Sequence, residues 1–311
     1  MRVLVTPRSF AKTDRRPLEL LEAAGCEVIR NPRGEILSRE EMLALVRDVD
    51  GIIVGVDPLD REVLQAAGRL RAIAKYGVGV DNIDMEYARE RGIPVSVTRG
   101  ANANAVADYA FALMLTAARG VSRADRACRQ GRWERVSGLD VWGKTLGILG
   151  LGAIGRGVAA RARGFQMRVL AYDLYRDEAY AASQGIEYAS LEEVLAQADF
   201  VSLHLPLTAD TERVINSGTI GLMKPGAVLV NTARGGLVDE EALFAALREG
   251  RLAGAALDVF REEPPHIEGL ETLENLVVSA HCAAASPSAS EQMGLLSAQN
   301  LLADLGLDGA R

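Results

Sequence analysis

The sequence predicts an α/β fold of the doubly wound, parallel-sheet class, and three observations carry that expectation. Short Val- and Ile-rich runs alternate with helical patterns along most of the 311 residues. Several of those runs are apolar at every position, as strands are when helices cover both faces of a sheet. One run, Thr145–Leu149, leads through a glycine triplet directly into a helical pattern.

Taken in chain order, Val3–Val5 ends ahead of Pro7 and reads as a first strand; it is too short for the apolar core of a signal peptide. Helical spacing follows over Leu18–Ala24 and Arg39–Val46, with strand runs at Gly51–Val54 and Arg71–Ala74. Thr98–Asn102 is turn-prone and marks a domain junction. The segment Asn104–Arg119 is apolar almost all round, so its helix is expected to be buried between domains or between subunits. Beyond it come strand Thr145–Leu149, helix Ala153–Ala162, strand Arg168–Tyr172 and helix Leu191–Ala196. Strands Phe200–Leu203 and Ala227–Val230, helix Glu240–Glu249, and strands Ala255–Leu257 and Leu276–Ser279 complete the alternation.

Length and composition narrow the function. A chain of 311 residues favours two domains. With 49% hydrophobic and 25% charged residues it can build an ordinary core. The net charge of -7 argues against a broad basic footprint for nucleic acid. No run approaches the ~20 apolar residues that span a bilayer. Cys26, Cys128 and Cys282 are odd in number, widely spaced and without CxxC spacing. That pattern fits the reducing cytoplasm and offers no metal site.

The sharpest motif is Gly150-Leu-Gly152-Ala153-Ile154-Gly155. A glycine triplet alone is weak, but this one follows a strand, opens a helix, and precedes a second strand ending at Asp173. Those are the requirements of a dinucleotide loop. Gly150 permits the tight turn, Gly152 lets backbone approach a pyrophosphate, and Gly155 lets the helix pack closely on the sheet. Asp173 would accept hydrogen bonds from the adenosine ribose and repel a 2′-phosphate, so NAD is expected over NADP. Arg176, three residues on, leaves NADP use open.

Three polar residues fall just after strands: Arg234, Glu263 and His281. In a parallel sheet those strand ends share one edge, where ligands bind. Together the three types suit hydride transfer to a 2-keto acid. Arginine grips a carboxylate with a planar fork, histidine exchanges a proton near neutrality, and a carboxylate beside it holds the imidazole in place. Taken singly, each has a plainer role in a loop ion pair, a solvated turn or the core. Of the other histidines, His204 is expected to line the cofactor crevice and His266 to sit in a surface loop.

Over nearly its whole length the chain resembles the D-isomer-specific 2-hydroxyacid dehydrogenases. Four segments carry the resemblance: Lys75-Tyr-Gly-Val-Gly-Val-Asp-Asn-Ile-Asp84, the run from Lys144 to Gly155, Asn231-Thr-Ala-Arg-Gly-Gly-Leu-Val-Asp-Glu240, and Ala255-Ala-Leu-Asp-Val-Phe-Arg-Glu-Glu-Pro264. The resemblance implies a Rossmann NAD domain, residues 99–284, inserted in a flavodoxin-like substrate domain made of residues 1–98 and 285–311. It implies that Arg234 binds the substrate carboxylate and carbonyl, that His281 is the acid/base, and that Glu263 is its partner. Asp258 would lie near the nicotinamide carboxamide, with Pro206, Thr211, Thr232 and Ala233 in loops bordering the cofactor. The loop Lys75, Tyr76, Gly77, Val78, Gly79 would hold the substrate carboxylate, and the helix after residue 103 would lie in a homodimer interface. Closure of the two domains would exclude water.

Within the family the likeness is strongest to phosphoglycerate dehydrogenases, through Gly131-Arg-Trp-Glu-Arg135 and the stretch from Asp258 to Pro265. Two positions depart from them. Gly55-Val56 stands where those enzymes usually carry arginine and a small polar residue, and Lys75 replaces a frequent arginine, keeping charge without fork geometry. Arg8 and Arg135 could serve a phosphate instead. With Arg311 as the last residue, no C-terminal regulatory domain is expected. The implied activity is NAD-dependent interconversion of a small D-2-hydroxy acid and its 2-keto acid, phosphorylated or phosphonate-bearing acids included. The alternatives are a glyoxylate/hydroxypyruvate reductase and an NADH-sensing, corepressor-like binding protein.

Overall fold

The computed structural model describes residues 1–307; residues 308–311, the end of the predicted substrate domain, lie outside the described residues. The chain forms two compact units, one from Met1–Asn102 together with the segment from Ala285 onward, the other from Ala103–Ala284.

The first unit holds a five-stranded sheet of β1 (Arg2–Val5), β2 (Glu27–Arg30), β3 (Gly51–Val54), β4 (Ala72–Lys75) and β5 (Val95–Val97), in the order β2-β1-β3-β4-β5. Every pairing is parallel. This is the flavodoxin-like order, which reverses direction between β1 and β3 and leaves a crevice at their carboxyl ends. β3 and β4 are buried at every position, as central strands covered on both faces must be. The C-terminal helix Pro287–Asp304 returns to this unit and packs on helix Arg16–Ala23 and on β3, β4 and β5. Capping sets where local helices begin: Ser38 and Glu41 form a reciprocal capping box at the start of Arg39–Leu45.

The second unit holds seven parallel strands: β6 (Thr145–Leu149), β7 (Arg168–Tyr172), β8 (Ile186–Tyr188), β9 (Phe200–Leu203), β10 (Val228–Asn231), β11 (Gly254–Leu257) and β12 (Leu276–Val278). Their order is β12-β11-β10-β9-β6-β7-β8, a Rossmann sheet with one added strand and its reversal between β6 and β9. Alternate residues feed two cores. Leu149, Leu203, Leu229 and Leu257 enter one, while Leu146, Ile148, Val228 and Val230 enter the other.

The register aligns the strand ends. Tyr172, Leu149, Leu203, Asn231, Leu257 and Val278 form one row across the sheet. The residues that follow them, including Asp173, Gly150, His204, Thr232 and Asp258, therefore emerge along a single edge.

The apolar helix Ala103–Arg119 packs on the second unit's own sheet, against β10, β11 and β12, and on helix Ala153–Ala162. Its buried face is used within its own unit, and Asp108 and Ala112 are exposed.

Candidate active site

The glycine loop occupies the point where the second sheet reverses. Gly150 has φ +100, and a Cβ there would lie 2.7 Å from the His204 carbonyl carbon, so backbone passes where a side chain would stand. Opposite it, a Cβ on Gly155 would meet the Gly150 carbonyl oxygen at 2.1 Å, which seats the helix tightly on the loop. Gly152 differs, with open space where its Cβ would be. It is also the N-cap of helix Ala153–Ala162, and no side chain caps that helix. The first-turn amides, Ala153 and Ile154 among them, thus form a seat for an anion.

Asp173 closes β7 beside this loop. Its Oδ2 accepts the Leu151 amide at 2.7 Å and its Oδ1 the Tyr175 amide at 2.9 Å. The carboxylate therefore shapes the glycine loop, and each oxygen keeps a lone pair for a ribose hydroxyl. Arg176 is drawn elsewhere, with its guanidinium 5.4 Å from the Tyr188 ring centroid and 4.0 Å from Glu178.

Two buried polar atoms at this edge have no hydrogen-bond partner among the described residues: His204 Nδ1 and Thr232 Oγ1. Nε2 of His204 pairs with Ser202 Oγ at 2.8 Å. Burial of the imidazole lowers its pKa from the usual 6.5 to about 4, so it stays neutral at physiological pH. An unpaired buried group costs free energy unless a ligand completes it. The open glycine, the uncapped helix and the two orphaned atoms together fit a dinucleotide. Pro206 and Thr211 belong to the neighbouring turn, where Thr211 Oγ1 donates to the Pro206 carbonyl at 2.6 Å.

After β10 the chain turns through Thr232, Ala233 and Arg234. Asn231, fully buried at the strand end, builds that turn: its Oδ1 accepts the Ala233 amide at 3.0 Å and its Nδ2 donates to the Arg234 carbonyl at 2.8 Å. Arg234 is half-buried, and one guanidinium nitrogen donates to the Ala233 carbonyl at 2.6 Å.

Asp258 does the equivalent job after β11. It is 1% exposed, and its Oδ1 accepts Ser279 Oγ at 2.6 Å and the Cys282 amide at 2.9 Å. Oδ2 accepts the Ala283 amide at 2.8 Å, while the Asp258 carbonyl accepts the His281 amide at 2.8 Å. The segment carrying His281 is thereby wrapped around one buried carboxylate, and His281 itself takes φ +50, a left-handed conformation.

His281 Nδ1 donates to Glu263 Oε2 at 2.8 Å, with both side chains a little over one-third exposed. Burial would raise the Glu263 pKa. The hydrogen bond and charge of His281, the Phe260 amide and the charge of Arg234 outweigh it and hold the carboxyl below its ordinary value. Glu263 thus stays ionised at neutral pH, fixes the imidazole tautomer and leaves Nε2 for proton exchange. His266 is exposed in the following loop.

The structure brings Gly150, Gly152, Ala153, Ile154, Gly155, Asp173, His204, Thr232, Ala233, Arg234, Asp258, Glu263 and His281 to one edge of the second unit. The loop Lys75–Gly79 lies at the corresponding edge of the first unit. Sequence reasoning missed Asn231 and Arg156. Asn231 announced itself as a polar residue closing an apolar strand. Arg156, just past the glycine triplet, lies 4.0 Å over the Tyr180 ring and bonds Asp177 at 2.9 Å and the Leu151 carbonyl at 3.1 Å. Nothing in its spacing distinguished it from a solvated helix residue.

Comparison with known proteins agrees with this geometry. The profile of the D-isomer specific 2-hydroxyacid dehydrogenase NAD binding domain matches residues 111–283. A glyoxylate reductase from Korarchaeum cryptofilum is 46% identical over 274 residues, covering 86% of this chain and 82% of that protein. A D-3-phosphoglycerate dehydrogenase from Methanocaldococcus jannaschii is 42% identical over 85% of this chain and 51% of its own length. Among solved structures, the TT0316 protein from Thermus thermophilus superposes with a TM-score of 0.88 at 42% identity, covering 98% of this chain and 97% of that one. With the dinucleotide seat and the matched profile meeting on the same strands, the chain belongs to the D-isomer-specific 2-hydroxyacid dehydrogenases and is an NAD-dependent oxidoreductase of that family.

Proposed function

We propose that the protein reduces a small 2-keto acid of the glyoxylate or hydroxypyruvate type to its D-2-hydroxy acid, with Arg234, Glu263 and His281 as the catalytic group. The observation that carries the assignment is the 2.8 Å pair between His281 Nδ1 and Glu263 Oε2, within the field of the Arg234 charge. The bound cofactor, as NADH, would supply the hydride that C2 of the acid accepts. Protonated His281 donates from Nε2 to the carbonyl oxygen as it gains charge and recovers a proton in the reverse direction. Arg234 holds the substrate carboxylate and carbonyl through its planar fork. Gly150, Gly152, Gly155 and the amides of Ala153 and Ile154 seat the pyrophosphate, and Asp173 takes the ribose. His204, Pro206, Thr211, Thr232, Ala233 and Asp258 border the rest of the cofactor. In the first unit the reading assigns Lys75, Tyr76, Gly77, Val78 and Gly79 to the substrate, with the carboxylate on backbone amides.

The same reading places the protein in a reducing cytoplasm, which suits its three unpaired cysteines. It also makes the protein a homodimer through the second unit, where Trp133 is 93% exposed, Trp142 66% and Val121 54%.

The test is NADH oxidation with glyoxylate, hydroxypyruvate, 3-phosphohydroxypyruvate and phosphonopyruvate, NADPH being run in parallel. Glyoxylate and hydroxypyruvate should be reduced with NADH preferred. No turnover of any of the four acids would end the proposal, and preference for a phosphorylated acid would move the substrate to the phosphoglycerate type.

A further inference from the structure

Lys75 ends β4 at the ligand-binding edge of the first sheet and is only 5% exposed. Its ammonium donates to the Gly55 carbonyl and, at 2.7 Å, to Asn82 Oδ1. The Asn82 amide donates to the same Gly55 carbonyl at 3.2 Å and to the Asp57 carbonyl at 2.5 Å. One backbone carbonyl thus gathers a buried cation and a side-chain amide. Burying an ammonium is costly, and an apolar residue would fill the end of an otherwise apolar strand at less cost. A cation retained there calls for a purpose other than packing.

Peptide geometry supplies one. The Gly55–Val56 peptide is trans and planar, so the Val56 N–H points opposite to the Gly55 carbonyl, away from Lys75. Gly77 repeats the arrangement. Its carbonyl accepts the Thr98 amide at 2.9 Å and Thr98 Oγ1 at 3.1 Å, which turns the Val78 N–H away from the buried threonine. The amides of Val56, Val78 and Gly79 donate to no acceptor among the described residues. The Val56 and Val78 residues are 50% and 42% exposed.

We propose that Lys75 is a positioning residue for the substrate: with Asn82 it fixes the Gly55–Val56 peptide so that the Val56 N–H joins those of Val78 and Gly79 in holding the substrate carboxylate. Its charge strengthens that cradle from beneath and does not meet the substrate's tail. The tail meets the side chains of Val56 and Val78 instead, so the acids accepted carry small, uncharged tails. This inference rests on the function proposed above.

The experiment compares the wild type with Lys75→Met, Lys75→Arg and Asn82→Ala. It uses glyoxylate and 3-phosphohydroxypyruvate as substrates, and calorimetric binding of oxamate, a non-reacting 2-keto acid isostere, in the presence of NADH. NADH affinity, read by fluorescence, reports folding and the cofactor site independently. Lys75→Met should raise KM for glyoxylate and weaken oxamate by about tenfold, with kcat and NADH affinity within about twofold; Lys75→Arg should recover most of the loss. Asn82→Ala, which keeps the cation, should raise KM by about threefold, and it carries the test if Lys75→Met does not fold. Unchanged KM and oxamate affinity in a folded Lys75→Met, or loss confined to 3-phosphohydroxypyruvate, would overturn the inference. A wild type that turns over neither acid, with oxamate binding still weakened in Lys75→Met, would overturn the proposed function and support the positioning role.

Discussion

Glu263 divides its carboxylate between His281 and the backbone, with Oε2 on His281 Nδ1 at 2.8 Å and Oε1 on the Phe260 amide at 3.1 Å. The imidazole is therefore held by a group that is itself anchored. His281→Asn should lower kcat by about 10²–10⁴-fold, the usual worth of a positioned acid/base. Glu263→Gln should lower it by about 10²-fold, because a neutral amide supports the imidazolium poorly. NADH affinity should stay within about twofold in both variants. Undiminished kcat at saturating acid would remove His281 from the mechanism.

Gly235 ties the arginine to this pair. A Cβ at Gly235 would lie 1.9 Å from the Phe260 carbonyl carbon and 2.3 Å from the Arg261 nitrogen. The turn carrying Arg234 thus rests directly on the backbone that leads to Glu263. Gly235→Ala must push the two segments apart. Stability should fall by roughly 1–3 kcal/mol, as overpacking typically costs. Because Arg234 moves relative to Glu263, kcat/KM should fall by about 10²-fold or more. Denaturant melts beside steady-state kinetics check both; a destabilised enzyme with unaltered kcat/KM would show that the contact is structural only.

Much of this arrangement was legible in the sequence because it obeys local rules. Central strands such as Gly51–Val54 and Ala255–Leu257 read as apolar runs, and in each sheet the register then carries the residues after them to one edge. The edge strands β2, β5 and β8 were not seen. They are three or four residues long, and none shows an unbroken apolar run, since an edge strand lacks a neighbour on one side. The roles of Asn231 and Asp258 as organisers of the turns that carry Arg234 and His281 depend on contacts two to twenty-five residues away, which no spacing rule supplies. Lys75 read as a point charge available to substrate; only the fold shows its ammonium bonded to Gly55 and Asn82.

Thr232 offers a test of the cofactor seat that does not depend on turnover. Its residue is 8% exposed, and its Oγ1 lacks a partner among the described residues. Thr232→Val replaces that hydroxyl with a methyl of similar size, so the cofactor-free protein should lose no stability and gain up to about 1 kcal/mol. If the hydroxyl is completed by NAD, affinity for NADH should fall by about five- to tenfold. Calorimetric titration and thermal melts of the cofactor-free protein measure the two effects. Unaltered NADH affinity would take Thr232 out of the site.

His204 makes stability depend on pH in a definite window. Burial lowers its pKa to about 4 in the folded protein, against 6.5 when exposed. Between those values the unfolded chain binds the extra proton, so stability falls as pH falls. The stabilisation is complete above pH 6.5 and is lost progressively towards pH 4, amounting to about 3 kcal/mol at most. Carboxylates held below their ordinary pKa, such as Asp199 and Glu263, lose their contribution only at lower pH. The interval from about pH 6.5 to about 4.5 therefore isolates the histidine when wild type and His204→Gln are compared. In cofactor-free protein, urea melts should give a wild-type stability that drops by roughly 2–3 kcal/mol across this interval relative to the variant. Parallel curves for the two proteins would mean that the imidazole is solvated and that its orphaned Nδ1 is not held ready for a ligand.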